Sequence, residues 1–330
     1  MRARGLRALI VAGAAMLISG GLLAQSSVLA ELKARIAAAT DARDLTAAVL
    51  TNRSADCADH VTIATGRAAD IQRGLTFAGA VVITADEESC RLLSNNIPNH
   101  DFNDASARFA HGVQEVGHSF TIPRRPVAAA RPTALTHRSY DAVMLNGVPL
   151  DILSAGCYRP NERGADRDGN VAIGCQADSR WLLDPVGVSH RFGADRHNAH
   201  TQPDGSYHYH GNPMALFDDH PPAEGSPVIG FAADGFPVYG SWFRDEAGAL
   251  RKAVSGYELR KGERPSSARD PGGFYDGMYV DDYEFTGRGD LDPCNGMTVN
   301  GQYGYYVTDA YPWVLRCLAG TAHPSFAKLR

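Results

Sequence analysis

Residues 205–213 read Gly-Ser-Tyr-His-Tyr-His-Gly-Asn-Pro, and the alternation inside this stretch decides how the rest of the chain is read. In an extended strand successive side chains point to opposite faces, so His208 and His210 share one face and Tyr207 and Tyr209 the other. The two α-carbons on the histidine face then stand about 6.5 to 7 Å apart, a spacing from which two ring nitrogens can converge on one ion. His200 lies upstream, separated from this strand by Pro203-Asp204-Gly205, which is turn chemistry. A three-residue loop at 203–205 places Gln202 opposite Ser206, Thr201 opposite Tyr207 and His200 opposite His208, so that three histidines share a face. A two- or four-residue loop shifts the register and sets His200 opposite Tyr209 instead, and the sequence leaves both registers open.

The chain around this hairpin has the punctuation of a strand-and-turn protein. Glycine (34) and proline (18) are plentiful in its 330 residues, and Tyr, Phe and Val recur in short runs. Strands are expected at Val61-Thr62-Ile63, Ala80 to Thr84, Val143 to Leu150, Trp181 to Leu183, Tyr207 to His210, Val228 to Phe231, Pro237 to Tyr239, Tyr283 to Thr286 and Gly304 to Thr308. The one strongly helical segment is Ser27 to Leu50, with Leu29, Leu32, Ile36, Leu45 and Leu50 near one stripe. Pro123 to Pro132 reads as an exposed connection. The expected fold is mainly β: a single large, disulfide-braced domain with long loops over 55–320, after a short helical leader or linker at 25–54 and before a tail at 321–330.

The N-terminus carries Arg2, Arg4 and Arg7, then an apolar run from Ala8 to Leu23, and small residues around Ala24. This pattern predicts a secretory signal peptide over 1–24, and hence an exported protein, periplasmic or extracellular, that is not an integral membrane protein after cleavage. An uncleaved anchor is the alternative for a run of this length. Six cysteines with no Cys-x-x-Cys pair fit disulfides in an oxidising compartment better than a thiolate metal site. Sequential pairing, Cys57 with Cys90, Cys157 with Cys175 and Cys294 with Cys317, is the simplest of the fifteen connectivities. A formal net charge of -5, with both signs interspersed, argues against nucleic acid as a partner.

Several ordered motifs make the chain resemble the YHYH-domain proteins, an exported and largely uncharacterised family named for the tetrapeptide. They include Asn95-Asn96-Ile97-Pro98-Asn99-His100, Leu145-Asn146-Gly147-Val148-Pro149, Asn198-Ala199-His200 leading into Gln202 to Pro213, and Gly230 to Gly240. Leu291-Asp292-Pro293-Cys294-Asn295-Gly296 and Tyr311-Pro312-Trp313 with Cys317 and Gly320 complete them. The resemblance spans roughly Cys90 to Gly320. It implies fold membership and a presumed metal-binding role, and it implies no particular reaction. Tyr303-Gly304-Tyr305-Tyr306 stands where some relatives repeat a histidine-containing Tyr-x-Tyr sequence, and it holds no histidine.

Neutral imidazole suits zinc, copper, nickel and iron, so His200, His208 and His210 are the first candidate ligands, with zinc or copper as the expected metal. His100 is the best additional candidate, because its turn can deliver a side chain into a distant site, and His197 follows it. The structural alternative is that His208 and His210 are hydrogen-bonded residues flanking two packed tyrosines. Asp234, an acid in an apolar turn, is the candidate general base or a carboxylate that orients a ligating imidazole, against a role in binding its own turn. Asp166-Arg167-Asp168-Gly169-Asn170 superficially resembles a calcium loop, but Val171 stands where a glycine is needed and no acid closes it. A polar turn between Cys157 and Cys175 is the default there.

Three functions compete. The first is a transition-metal binder. The second is a metal-dependent hydrolase or oxidoreductase using the same site, which needs an open position on the ion and a nearby acid. The third is a metal-free module for a small-molecule, polysaccharide or protein ligand, with Tyr207, Tyr209, Tyr239, Trp242 and Trp313 as stacking faces. No Gly-x-Ser-x-Gly elbow, phosphate loop or dinucleotide fingerprint appears.

Overall fold

The structure is a computed structural model that describes residues 23–187, 192–221 and 223–328. The predicted signal peptide falls almost entirely outside the described residues. Among the described residues, no helix is long and apolar enough to cross a membrane.

Strands dominate, in two main sheets. The N-terminal sheet has five strands, in the order Arg43–Asp44, Thr62–Asp70, Leu75–Ala85, Ser89–Ser94 and His118–Pro123, with only the first pair parallel. Alternation along its strands splits the side chains between two packings. Val81, Ile83, Leu92, Phe120 and Ile122 enter the main core, where they meet Val143, Met144, Leu150, Val228 and Phe231 of the second sheet. Val82 and Leu93 point the other way and pack against Leu32, Val28 and Ile36. Those three residues form an i, i+4 stripe on the only long helix among the described residues, 23–38. The helix is further tied to the sheet by Arg91, whose guanidinium donates to both carboxylate oxygens of Glu31 at 2.7 and 2.9 Å.

The helix stops at 38, short of the Leu50 expected from composition. Beyond it the chain turns into the edge strand Arg43–Asp44, and Leu45 joins the main core instead of continuing the helical stripe. Helix-forming composition therefore lost to strand pairing and burial in 39–50.

The second sheet has eight strands, in the order Ala199–Thr201, Tyr207–Tyr209, Pro149–Leu150, Ala142–Met144, Val228–Ala232, Pro237–Tyr239, Gln302–Tyr306 and Gly296–Val299. Its pairings are antiparallel except for Tyr209 beside Leu150 and Val238-Tyr239 beside Tyr305-Tyr306. The predicted strand over Val143 to Leu150 is in fact a hairpin. Gly147 sits at φ +85°, where a side chain is strained, and a Cβ there would lie 2.4 Å from Ser94. Trp181 to Leu183 contributes isolated bridges to Cys157 and Tyr279 and no regular strand. Residues 124–132 are largely exposed and connect the two sheets, as the prolines suggested.

All six cysteines are paired in sequential order: Cys57–Cys90, Cys157–Cys175 and Cys294–Cys317. The Asp166 turn is closed by its own carboxylate, which accepts from the backbone N–H of Asp168 and of Asn170 at 2.9 Å each.

Candidate metal centre

The hairpin adopts the three-residue-loop register. Ala199 pairs with Tyr209, His200 with His208 and Thr201 with Tyr207. Gln202 N–H donates to Ser206 O at 2.9 Å, and Gly205 turns the chain at φ +83°. Asp204 holds the loop by accepting from the backbone N–H and the hydroxyl of Ser206, at 3.0 and 2.7 Å.

That register brings three imidazoles together. Their ring centroids form a nearly equilateral triangle with sides of 4.8, 4.8 and 4.7 Å, and the rings are inclined to each other by 62° to 78°. His210 Nε2 lies 3.0 Å from His208 Nε2 and 3.0 Å from His200 Nε2. Three nitrogens around a tetrahedral ion at metal–nitrogen distances near 2.0–2.1 Å are spaced by roughly 3.3 Å. The observed spacing is close to what such an ion needs.

The protonation pattern follows from the surroundings. His200 Nδ1 lies 2.8 Å from the Phe192 carbonyl oxygen. A carbonyl only accepts, so His200 carries its proton on Nδ1 and presents Nε2 as a lone pair. His208 and His210 are buried, and burial holds both imidazoles well below their ordinary pKa, with the neighbouring histidines acting in the same direction. His200 is lowered by burial as well, against an opposing pull from the Phe192 carbonyl and Asp151. All three are thus neutral, the form that ligates metal. The Nδ1 atoms of His208 and His210 close no full hydrogen bond, although backbone groups at Ser206 and at Asp151 and Ile152 lie near enough to favour charge.

The tyrosines of the same strand serve the opposite face. Tyr207 and Tyr209 are fully buried, which removes them as exposed stacking platforms. Tyr207 OH donates to Asp195 at 2.8 Å, and that carboxylate also accepts from the backbone N–H of Asn103, His197 and Ala199. Tyr209 OH accepts from Asn146 Nδ2 at 3.0 Å and lies 2.6 Å from His100 Nε2.

His100 therefore sits on the tyrosine face and is not brought into the triad. Its Nδ1 faces Asp101 O at 2.9 Å, and its ring lies against His197 with centroids 3.9 Å apart and planes tilted by 36°. His197 has both nitrogens engaged too, with Pro213 O and with Arg196 Nε. Asp234 is buried in its own turn, where it accepts from Tyr305 OH at 2.7 Å, Gly320 N–H at 2.9 Å and Phe236 N–H at 3.3 Å. None of these partners belongs to the triad. Tyr305, in the late tyrosine-rich motif, thus holds Asp234. Among the described residues, the triad is one of two clusters with ligand-like spacing, and the other contains the Cys57–Cys90 disulfide.

Two contributors to the triad left no mark in the sequence pattern. The Phe192 carbonyl is a backbone group, invisible to residue type, and Asp195 acts through backbone N–H groups that only the fold assembles.

A two-sheet, disulfide-braced β fold with a histidine-bearing hairpin at one sheet edge defines the class. The sequence profile of the family described as YHYH protein matches residues 119–320, and the chain belongs to that family. The match covers all three triad histidines and Asp234, and leaves His100 and most of the N-terminal sheet outside. No curated protein and no solved structure shows a significant match.

Proposed function

We propose that this protein binds one transition-metal ion, zinc or copper, through Nε2 of His200, His208 and His210. The observation that carries the reading is the electrostatic predicament of the triad. His200 Nε2 is a lone pair fixed by the Phe192 carbonyl, and His210 Nε2 faces two imidazole nitrogens at 3.0 Å each. A proton on His210 Nε2 has one good acceptor direction, so at least one of its neighbours stays unsatisfied. A cation at the centre satisfies all three lone pairs together, and three protein ligands leave a fourth position for water or another donor.

His200 supports the same reading, since a ligating histidine characteristically donates its other ring N–H to a carbonyl or carboxylate, as His200 Nδ1 does to the Phe192 carbonyl. The three disulfides and the basic, apolar N-terminus support work outside the cytoplasm, in the periplasm or beyond the cell. The reading stops at metal binding, because Asp234, the candidate base, is occupied by Tyr305 and Gly320.

Titration of metal-free protein with cobalt(II), followed by visible absorption, tests it. Saturation at one equivalent with the intense bands of a four- or five-coordinate ion is expected, and a featureless octahedral spectrum at all ratios contradicts it.

A further inference from the structure

Beside the triad lies a cleft of about 690 Å³. Its apolar wall is Val171, Ala172, Leu183 and Phe192, and Gly164, Asp166, Arg167, Asp168 and Asn170 complete the lining. Phe192 belongs to both places. Its carbonyl orients His200, its ring centroid stands 6.4 Å from those of His200 and of His210, and it lines the cleft. The opposite boundary is the loop closed by the Cys157–Cys175 disulfide, which fixes Asn170 and Val171 by pairing them with Tyr158 and Cys157.

We infer that this cleft is the ligand-binding site served by the triad, and that it takes a small amphipathic acid, an anionic oxygen donor on an apolar chain or ring. The inference rests on the metal reading for the head of the ligand, while the cleft accounts for its body. Four features select this chemistry. A three-histidine site has no protein anion, so a bound divalent ion keeps its full positive charge and favours an anionic fourth ligand. Of the three histidines, His200 alone is partly exposed, and it is the one held by the backbone of Phe192, whose ring lines the cleft. The volume falls within the usual range for small-molecule sites, and Val171, Ala172, Leu183 and Phe192 give an apolar body a surface to cover. Asn170 is buried, its Oδ1 accepts from Tyr279 OH at 2.8 Å, and its Nδ2 closes no hydrogen bond, which leaves its two N–H groups without an acceptor oxygen.

Acetate and octanoate, which share a head and differ in the apolar body, are the probes. Each is titrated into cobalt(II)-loaded protein and read from the visible bands. Octanoate is expected to bind at least tenfold more tightly than acetate. In Ala172→Trp, which fills the cleft from an exposed position without touching a histidine, cobalt uptake and acetate affinity stay as in the wild type and the octanoate preference disappears. Equal affinities for the two acids in the wild type, or an octanoate preference that survives Ala172→Trp, would overturn the inference. Failure to take up cobalt sinks the metal reading separately. Calorimetry of octanoate with metal-free wild type and Ala172→Trp then decides the cleft alone: binding abolished by the substitution upholds the apolar site, and no binding to either protein rejects it.

Discussion

His200 stands directly across the hairpin from His208, and this pairing determines what the tetrapeptide strand can do. A slip of one residue would exchange imidazoles for phenols on that face and dissolve the triangle. The loop at 203–205 sets the register locally, and the tyrosine face reinforces it through Asp195. The two faces of one short strand thus divide the labour, with tyrosines locking the strand and histidines converging beyond it.

Asp195 is the main lock. Its carboxylate serves the Tyr207 hydroxyl and three backbone N–H groups, two of them in the segment entering the His200 strand. Asp195→Ala leaves these donors buried without a partner, and a loss of about 2–4 kcal/mol in unfolding free energy is expected. Metal affinity should fall about tenfold with all three histidines intact. Chemical denaturation and cobalt titration of the same variant check both numbers, and wild-type affinity in a destabilised protein would show that Asp195 does not set the register.

Tyr209→Phe probes the same face without altering the register lock. It removes the hydroxyl that links Asn146 to His100 and leaves His100 Nε2 unpaired. A stability loss of about 1–3 kcal/mol with unchanged metal stoichiometry is the expected result. Loss of metal here would mean that the two faces are not separable.

Protonation of two buried histidines should oppose folding in acid. Burial lowers the pKa of His100 to about 3 and that of His197 to about 4, each from an ordinary 6.5. Lowered folded-state values mean that the unfolded chain binds protons first. The contribution of these two histidines is therefore full above about pH 6.5 and declines as pH falls towards 4, by about 3 kcal/mol from His100 alone, while Asp184 and Asp195, raised by burial to about 6 each, act in the opposite direction. The difference between wild type and His100→Gln in urea unfolding of metal-free protein between pH 7.5 and 4.5 measures the His100 decline. His100→Gln should flatten it, and a profile unchanged by that substitution would remove His100 as its source.

Much of the architecture was legible in the sequence because period-two alternation and turn residues are local signals. Pro237 to Tyr239 is read to the residue, and Val228 to Phe231 within one. The helical segment was overextended because residues 39–50 are held by the edge strand and by the burial of Leu45, which composition does not report. The triad was legible through Pro203-Asp204-Gly205, one of two registers the turn allowed. His100 was harder to place. Its turn does carry the side chain inward, as expected, yet to Tyr209 on the far face, and which face a distant turn reaches is a tertiary fact. Asp234 likewise found its partners, Tyr305 and Gly320, from another part of the chain.

The most direct test is the metal content of protein purified without chelators or a histidine tag, beside a His208→Ala/His210→Ala variant shown to be folded. One equivalent of zinc or copper in the wild type, and none in the variant, is the predicted result. No metal in the wild type after incubation with both ions, or equal metal in the two proteins, would contradict a metal centre at His200, His208 and His210.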